Sequence, residues 1–286
     1  MKKFFQAAFP RSPVFGRTML ALFFYSILIV YLVKHVSHFQ GVEAIDITAS
    51  STIAIGLIYA FRINSAYDRW WEGRKLWGQL VNDLRNLCIK FDLYFDVSAE
   101  EKAEFGNLVS AFPVALKDHL RGIRTDLTTL GVAVPHDKTN DRHAPLLTAA
   151  LIFEFVQKKR LHTSHEFIDF LIVDKHLSAM MDVCGACERI RNTPISKWFN
   201  VSIWLWLTVY LSMLPWLLAD ELHLWTVLVV MFAGYFGVAI ELIAEEIQEP
   251  FGRDANDLQT DKYCETIAES VRQILHTVPL AIAQKS

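Results

Sequence analysis

Apolar residues in this chain gather into long uncharged runs, not short alternating stretches. Thr18 to Val33 carries no charge between Arg17 and Lys34, and Ile47 to Phe61 carries none between Asp46 and Arg62. Both are shorter than the roughly 20 apolar residues that a clean membrane-crossing helix needs. Lys34 can close the gap by snorkelling, its stem in hydrocarbon and its ammonium in water. Trp198 to Ala219 and Leu222 to Ile240 reach the full length, and the link between them, with Asp220 and Glu221, predicts a helical hairpin. The expected spans are about 18–36, 46–67, 198–219 and 222–243, with polar helical regions at about 68–197 and 248–286.

Between Trp70 and Trp198 the pattern is helical but amphipathic. Asp83-Leu84-Arg85-Asn86-Leu87 continues the second span's helix beyond the membrane. Ser98-Ala99-Glu100-Glu101 has the spacing of a capping box, so a helix starts there. Gly131 to Pro145 reads as a polar loop, and Phe167 to Ile190 as a helix that ends before Pro194. No strand alternation of useful length and no internal repeat occurs, so the predicted fold class is all-α.

Basic residues set the orientation. Lys2, Lys3, Arg11 and Arg17 precede the first span, Arg62, Arg69, Arg74, Lys75, Arg85 and Lys90 follow the second, and Arg189, Arg191 and Lys197 precede the third. Only Lys34 lies between spans one and two, and no Lys or Arg lies between three and four. The positive-inside rule then puts both termini in the cytosol. With no small-residue cleavage site after Val33, the first run reads as a retained span, not a signal peptide. Composition agrees with a membrane protein: 52% of the 286 residues are hydrophobic, and mean hydropathy is positive. A net charge of -3 gives no basic field for nucleic acid. Asp, Glu, Lys and Arg are missing from the middles of the spans, which argues against a proton-coupled transporter.

Within the second span, Ile53, Leu57 and Phe61 share one helical face at i, i+4 and i+8. Ala49, Ser50, Ala54, Gly56 and Ala60 put small residues elsewhere on the same helix, which suits close packing. By spacing alone the stripe could equally face neighbouring helices or lipid. Just beyond it comes Phe61-Arg62-Ile63-Asn64-Ser65-Ala66-Tyr67-Asp68-Arg69-Trp70-Trp71-Glu72-Gly73-Arg74-Lys75-Leu76-Trp77. Amphipathic rings flanked by basic residues mark the point where a helix leaves hydrocarbon, with Arg69, Trp70 and Trp71 as interface anchors.

This string resembles the signature of the bestrophin family of ion channels, in its bacterial branch. Cys184-Gly185, with Glu188-Arg189-Ile190-Arg191-Asn192-Thr193-Pro194, resembles the family's approach to the third span. Glu249-Pro250-Phe251-Gly252-Arg253-Asp254-Ala255-Asn256-Asp257-Leu258 resembles the segment that clasps calcium in animal members. The resemblance implies one channel unit over residues 1–286 in a bacterial inner membrane, multi-pass, assembled with lipid around it as a homopentamer. It places Ile53, Leu57 and Phe61 at three rings of a hydrophobic neck, which can gate by dewetting, and Ile168 at a cytosolic constriction. Asp254 and Asp257 match acidic positions of the calcium clasp, but Arg253, Ala255 and Asn256 replace others. Calcium wants six to eight oxygens, so weak or absent binding and a capped turn are expected, with no other cofactor.

Selectivity follows from the neck. Eukaryotic bestrophins resemble anion channels and carry phenylalanines there, whose positive ring edges can face an anion. This chain keeps Phe61 but has Leu57 at the middle ring, as in sodium-conducting bacterial relatives, so monovalent cations are expected. A chloride or other anion channel of the same architecture, or a non-conducting membrane scaffold, is the alternative. The row Glu241, Glu245, Glu246 and Glu249 either pairs with the arginines after the second span or faces an aqueous vestibule. A metal or redox protein would draw on Cys184, Cys187, His162 and His165 with Glu166, but Cys184 and Cys187 at one helix face read as a buried pair. No enzyme constellation is present: the chain lacks a glycine-rich phosphate loop, a nucleophile elbow and an HExxH motif.

Overall fold

The computed structural model describes residues 13–35, 44–134, 143–160 and 166–275, with side chains throughout except at 44–49, 160 and 166–169. The described residues form α1 (Pro13–His35), α2 (Ala44–Tyr94), α3 (Ala99–Leu120), a 3-10 turn (Leu127–Leu130), α4 (Ala144–Arg160), α5 (Glu166–Asn192), α6 (Lys197–Leu222), α7 (Trp225–Ile247) and α8 (Thr260–Leu275). No strand occurs among them. The chain divides into two compact units, Met1–Arg69 with Pro194–Glu249, and Trp70–Thr193 with Pro250–Ser286.

In the first unit, α1 packs against both α6 and α7, which pack against each other. All three are long and apolar enough to cross a membrane. Two glycines on α7 allow the close approach. A Cβ at Gly234 would lie 2.4 Å from Leu22 Cδ2, and one at Gly237 would lie 2.7 Å from Leu207 Cδ1. Small residues at helix contacts are what membrane packing selects, since lipid gives no hydrophobic drive for association. The hairpin turn falls later than expected. Asp220 and Glu221 remain inside α6, and the chain reverses at His223, whose φ of 48° is left-handed. Thr226 Oγ1 closes the corner by donating to Leu218 O at 3.0 Å.

The expected second span lies on α2, which does not meet the length-and-composition standard of the other three. Its uncharged run stops at Arg62, and the helix then continues as a polar element through Tyr94. Beyond Arg69 it enters the second unit. Trp77, Leu80, Leu84, Leu87 and Phe91 are wholly buried there. They recur every three and four residues, the period of a seam facing a helical core. Phe105, Phe112 and Leu116 of α3, Ile152 of α4, Leu177 and Met180 of α5 and Val271 of α8 complete that core. Phe91 stacks on Phe105 with centroids 3.8 Å apart. Full burial of side chains this size is worth about 1.5–3 kcal/mol each, so the seam explains why α2 runs on so far without a break.

Helix ends follow local chemistry. Ser98 accepts the N–H of Glu101, and Glu101 accepts that of Ser98 at 2.9 Å, the reciprocal box expected from sequence. α5 ends at Asn192, two residues before Pro194. α4 starts at Ala144, inside the stretch expected to be loop, because Pro145 fits the first turn where its missing N–H costs nothing.

Candidate functional site

Ile53, Leu57 and Phe61 are 74%, 58% and 62% exposed, on the one side of α2 that its own unit leaves uncovered. Tyr59, Arg62 and Ala66 on the opposite side are buried. What fixes this rotation is Arg62. Its guanidinium is wholly buried against the equally buried Glu241 of α7, with Nε 3.2 Å from Oε1 and Nη2 3.1 Å from the same oxygen. Nη1 donates to Gln248 Oε1 at 3.1 Å. Higher on the helix the Thr52 and Tyr210 hydroxyls meet at 2.8 Å. An uncompensated buried guanidinium costs several kcal/mol, so α2 cannot turn Arg62 away from Glu241 without a large penalty. The pair holds the apolar stripe outward.

This pairing also answers the question of the acidic row. Glu241 is neutralised by Arg62, and Glu245 accepts from Trp204 Nε1 at 3.2 Å. Glu249 is exposed. The row is therefore not a continuous line of free carboxylates.

The residues expected to anchor the membrane interface bind backbone carbonyls instead of standing alone. Arg69 Nε donates to Gln248 O at 2.8 Å. In the second unit, Trp70 Nε1 donates to Asn256 O at 3.0 Å. Trp71 is 43% exposed, with the Arg74 guanidinium 5.9 Å from its ring centre.

The segment holding Asp254 and Asp257 is a closed turn. Leu258 N–H donates to Pro250 O at 2.9 Å, and Asp254 N–H donates to Asp257 Oδ2 at 2.6 Å. Arg121, the cap residue just after α3, donates to Gly252 O at 3.2 Å, to Thr260 Oγ1 at 3.0 Å and to Asp261 Oδ2 at 2.9 Å. Lys117 donates to Asp261 Oδ1 at 2.8 Å. Burial alone would raise the Asp261 carboxyl, but the bonds from Lys117 and Arg121 outweigh it and hold it at about 2. Gly73 of α2 lets the turn come close, for a Cβ there would be 3.1 Å from both Leu258 and Phe251. Within the turn, one carboxylate oxygen of Asp257 is thus taken by the Asp254 N–H, and Arg121 brings a positive charge to Gly252.

Cys184 and Cys187 are buried and unbridged. Burial, followed by the charge of Glu188, pushes the Cys184 thiol up to about 12, and Cys187 is raised as well. Neither is a thiolate at neutral pH, which is what a ligand or redox nucleophile would have to be. His162 and His165 lie outside the described residues, as does the side chain of Ile168, whose backbone belongs to α5.

Long apolar helices in one unit and a helical bundle in the other define an all-helical membrane protein. The chain belongs to the bacterial and fungal bestrophins: it matches the family described as Bacterial/Fungal Bestrophin protein over residues 12–273. Bestrophins are ion channels and not enzymes, so this chain is a bestrophin-like ion channel. Over 235 residues it is 34% identical to a voltage-dependent anion channel-forming protein of Nostoc sp., covering 80% of this chain and 76% of that one. The protein of that description from Escherichia coli is 30% identical over 265 residues, 90% of this chain and 85% of the other. A bacterial bestrophin homolog from Klebsiella pneumoniae has the same fold, with a TM-score of 0.83 at 23% identity, covering 92% of this chain and 98% of that one.

Proposed function

We propose that this chain forms a homopentameric channel in a bacterial inner membrane, with Ile53, Leu57 and Phe61 lining a hydrophobic neck and anions as the permeant species. The observation that carries the pore reading is the apolar stripe turned away from its own unit and held there by Arg62 and Glu241. In a membrane span such a face meets lipid, further copies of the chain or a narrow water path that apolar rings gate, and membership of a channel family favours the last. The sequence on its own favours sodium. Two findings move the reading to anions. The relatives at 30–34% identity carry anion-channel names, and in the acidic row that would attract cations the charge of Glu241 is cancelled by Arg62.

Monovalent cation conduction is the second reading, and Leu57 is the observation that favours it. An aliphatic ring offers an anion no positive edge, whereas phenylalanine would. Calcium plays at most a weak part, because Arg121 and Lys117 already supply positive charge around the turn at Asp254 and Asp257.

Reversal potential in purified, reconstituted protein under a sodium chloride gradient separates the two readings. The expected value lies near the chloride equilibrium potential. A value at the sodium potential would replace anions with cations. Absence of current under any gradient would leave a non-conducting scaffold.

A further inference from the structure

Three polar side chains that the channel reading does not use meet in the second unit. His119 lies in the last turn of α3, His143 sits just before α4, and Glu188 is near the end of α5. His119 Nε2 and His143 Nε2 each lie 2.7 Å from the same oxygen, Glu188 Oε1. The two imidazole rings are 4.4 Å apart, and the candidate ligand atoms all fall within 4.8 Å of one another. All three side chains are half-sheltered, within reach of solvent without being loose in it.

We propose that His119, His143 and Glu188 form a binding site for a divalent transition metal, zinc above all, that ties α3, α4 and α5 together. Two neutral imidazoles and one carboxylate are a donor set that zinc takes with a fourth position left to water. With bonds of about 2.0–2.2 Å in a tetrahedral site, ligand atoms stand about 3.3–3.5 Å apart, so each imidazole nitrogen has to draw back from Glu188 by somewhat more than half an ångström to admit the metal. The donors are hard-to-borderline nitrogen and oxygen, which select zinc over calcium or magnesium.

The protons can be followed. Leu146 N–H donates to His143 Nδ1 at 3.1 Å, so His143 carries its proton on Nε2, directed at Glu188. A metal at Nε2 takes that place, and the proton moves to Nδ1, which gives up the bond from Leu146. No net proton is released from neutral rings. Arg191 opposes the metal by charge, but its Nη1 donates to His119 O at 2.9 Å and so also fixes the chain at that ligand. Sequence spacing could not reveal the site, because its members come from three separate elements.

The test uses the full chain in detergent and does not depend on ion selectivity. Wild-type protein should take up zinc in the micromolar range with a rise in melting temperature that grows with zinc concentration. Since loss of a supporting contact alone costs about 10–100-fold in metal affinity, Glu188→Gln and His119→Ala should each weaken binding by at least about 100-fold. His162→Ala with His165→Ala should leave it unchanged. Cobalt in place of zinc should show a nitrogen-and-oxygen spectrum without thiolate charge transfer, a readout that needs no variant to fold. No micromolar uptake by wild type, binding that survives Glu188→Gln, loss that follows His162 and His165, or a thiolate band from Cys184 or Cys187 would each overturn the proposal.

Discussion

Arg62 and Glu241 show what a buried ion pair can do for position, apart from stability. Both are wholly buried, so removing one leaves the other charged and unpaired in an apolar setting. Glu241→Ala should therefore destabilise the protein by about 3–5 kcal/mol, read as a lower thermal midpoint in detergent. Replacing both, with Arg62→Met and Glu241→Leu together, should recover most of the loss, because the well-packed apolar pair avoids desolvation altogether. A single variant as stable as wild type would mean that the pair does not hold α2. Asp261 gives a residue-scale prediction in pH. Its carboxyl sits at about 2 in the fold against an ordinary 3.8. A depressed carboxyl contributes stability that is complete above the unfolded value and disappears as pH falls through the folded one. The midpoint difference between wild type and Asp261→Asn should thus stay constant from neutral pH to about 4 and close between about 4 and 2. Equal midpoints at pH 7 would contradict the assignment.

At the scale of elements, α2 carries most of the meaning. Its apolar stripe was readable from spacing alone, since i, i+4 and i+8 share a face whatever lies beside it. Which partner the face meets was not readable, because lipid, helix and pore all accept the same residues. Leu57→Ala should raise conductance or open probability in single-channel recordings by widening and wetting the neck, with the oligomer intact. Loss of the oligomer with unchanged current per channel would mean that Leu57 packs between helices. The capping box at Ser98 and the stop before Pro194 were legible because each is settled within one helical turn. The start of α4 was missed because Pro145 reads as a loop residue until the helix around it is known. Pairing of Glu241 with an arginine was one of two readings that the sequence left open. Which arginine it takes depends on how α7 lies against α2, and that is a tertiary fact.

For the whole molecule, the all-α class and the membrane setting were legible in composition and run length, and the family in a few rare residues at fixed offsets. The second unit begins at Trp70, beside the Arg69-Trp70-Trp71 cluster where the sequence has the helix leave hydrocarbon, and α2 changes its surroundings there without ending. Assembly belongs to this scale as well. The spans of one chain cannot enclose a neck, so native mass measurement of detergent-solubilised protein should give five copies. A monomer or dimer as the sole species would remove the pore.

The two units are also interleaved along the chain, and this bears on how the protein is made. A ribosome delivers α1 and the first part of α2 long before α6 and α7, the partners that cover them, and the wait spans the whole of α3, α4 and α5. During that interval Arg62 has entered the nascent helix without Glu241. The second unit waits in turn for α8, which emerges after the first is complete. Neither unit can be finished while the other is still unstarted. A stalled or truncated chain therefore leaves apolar faces open in both, and quality control has two unfinished surfaces to detect instead of one.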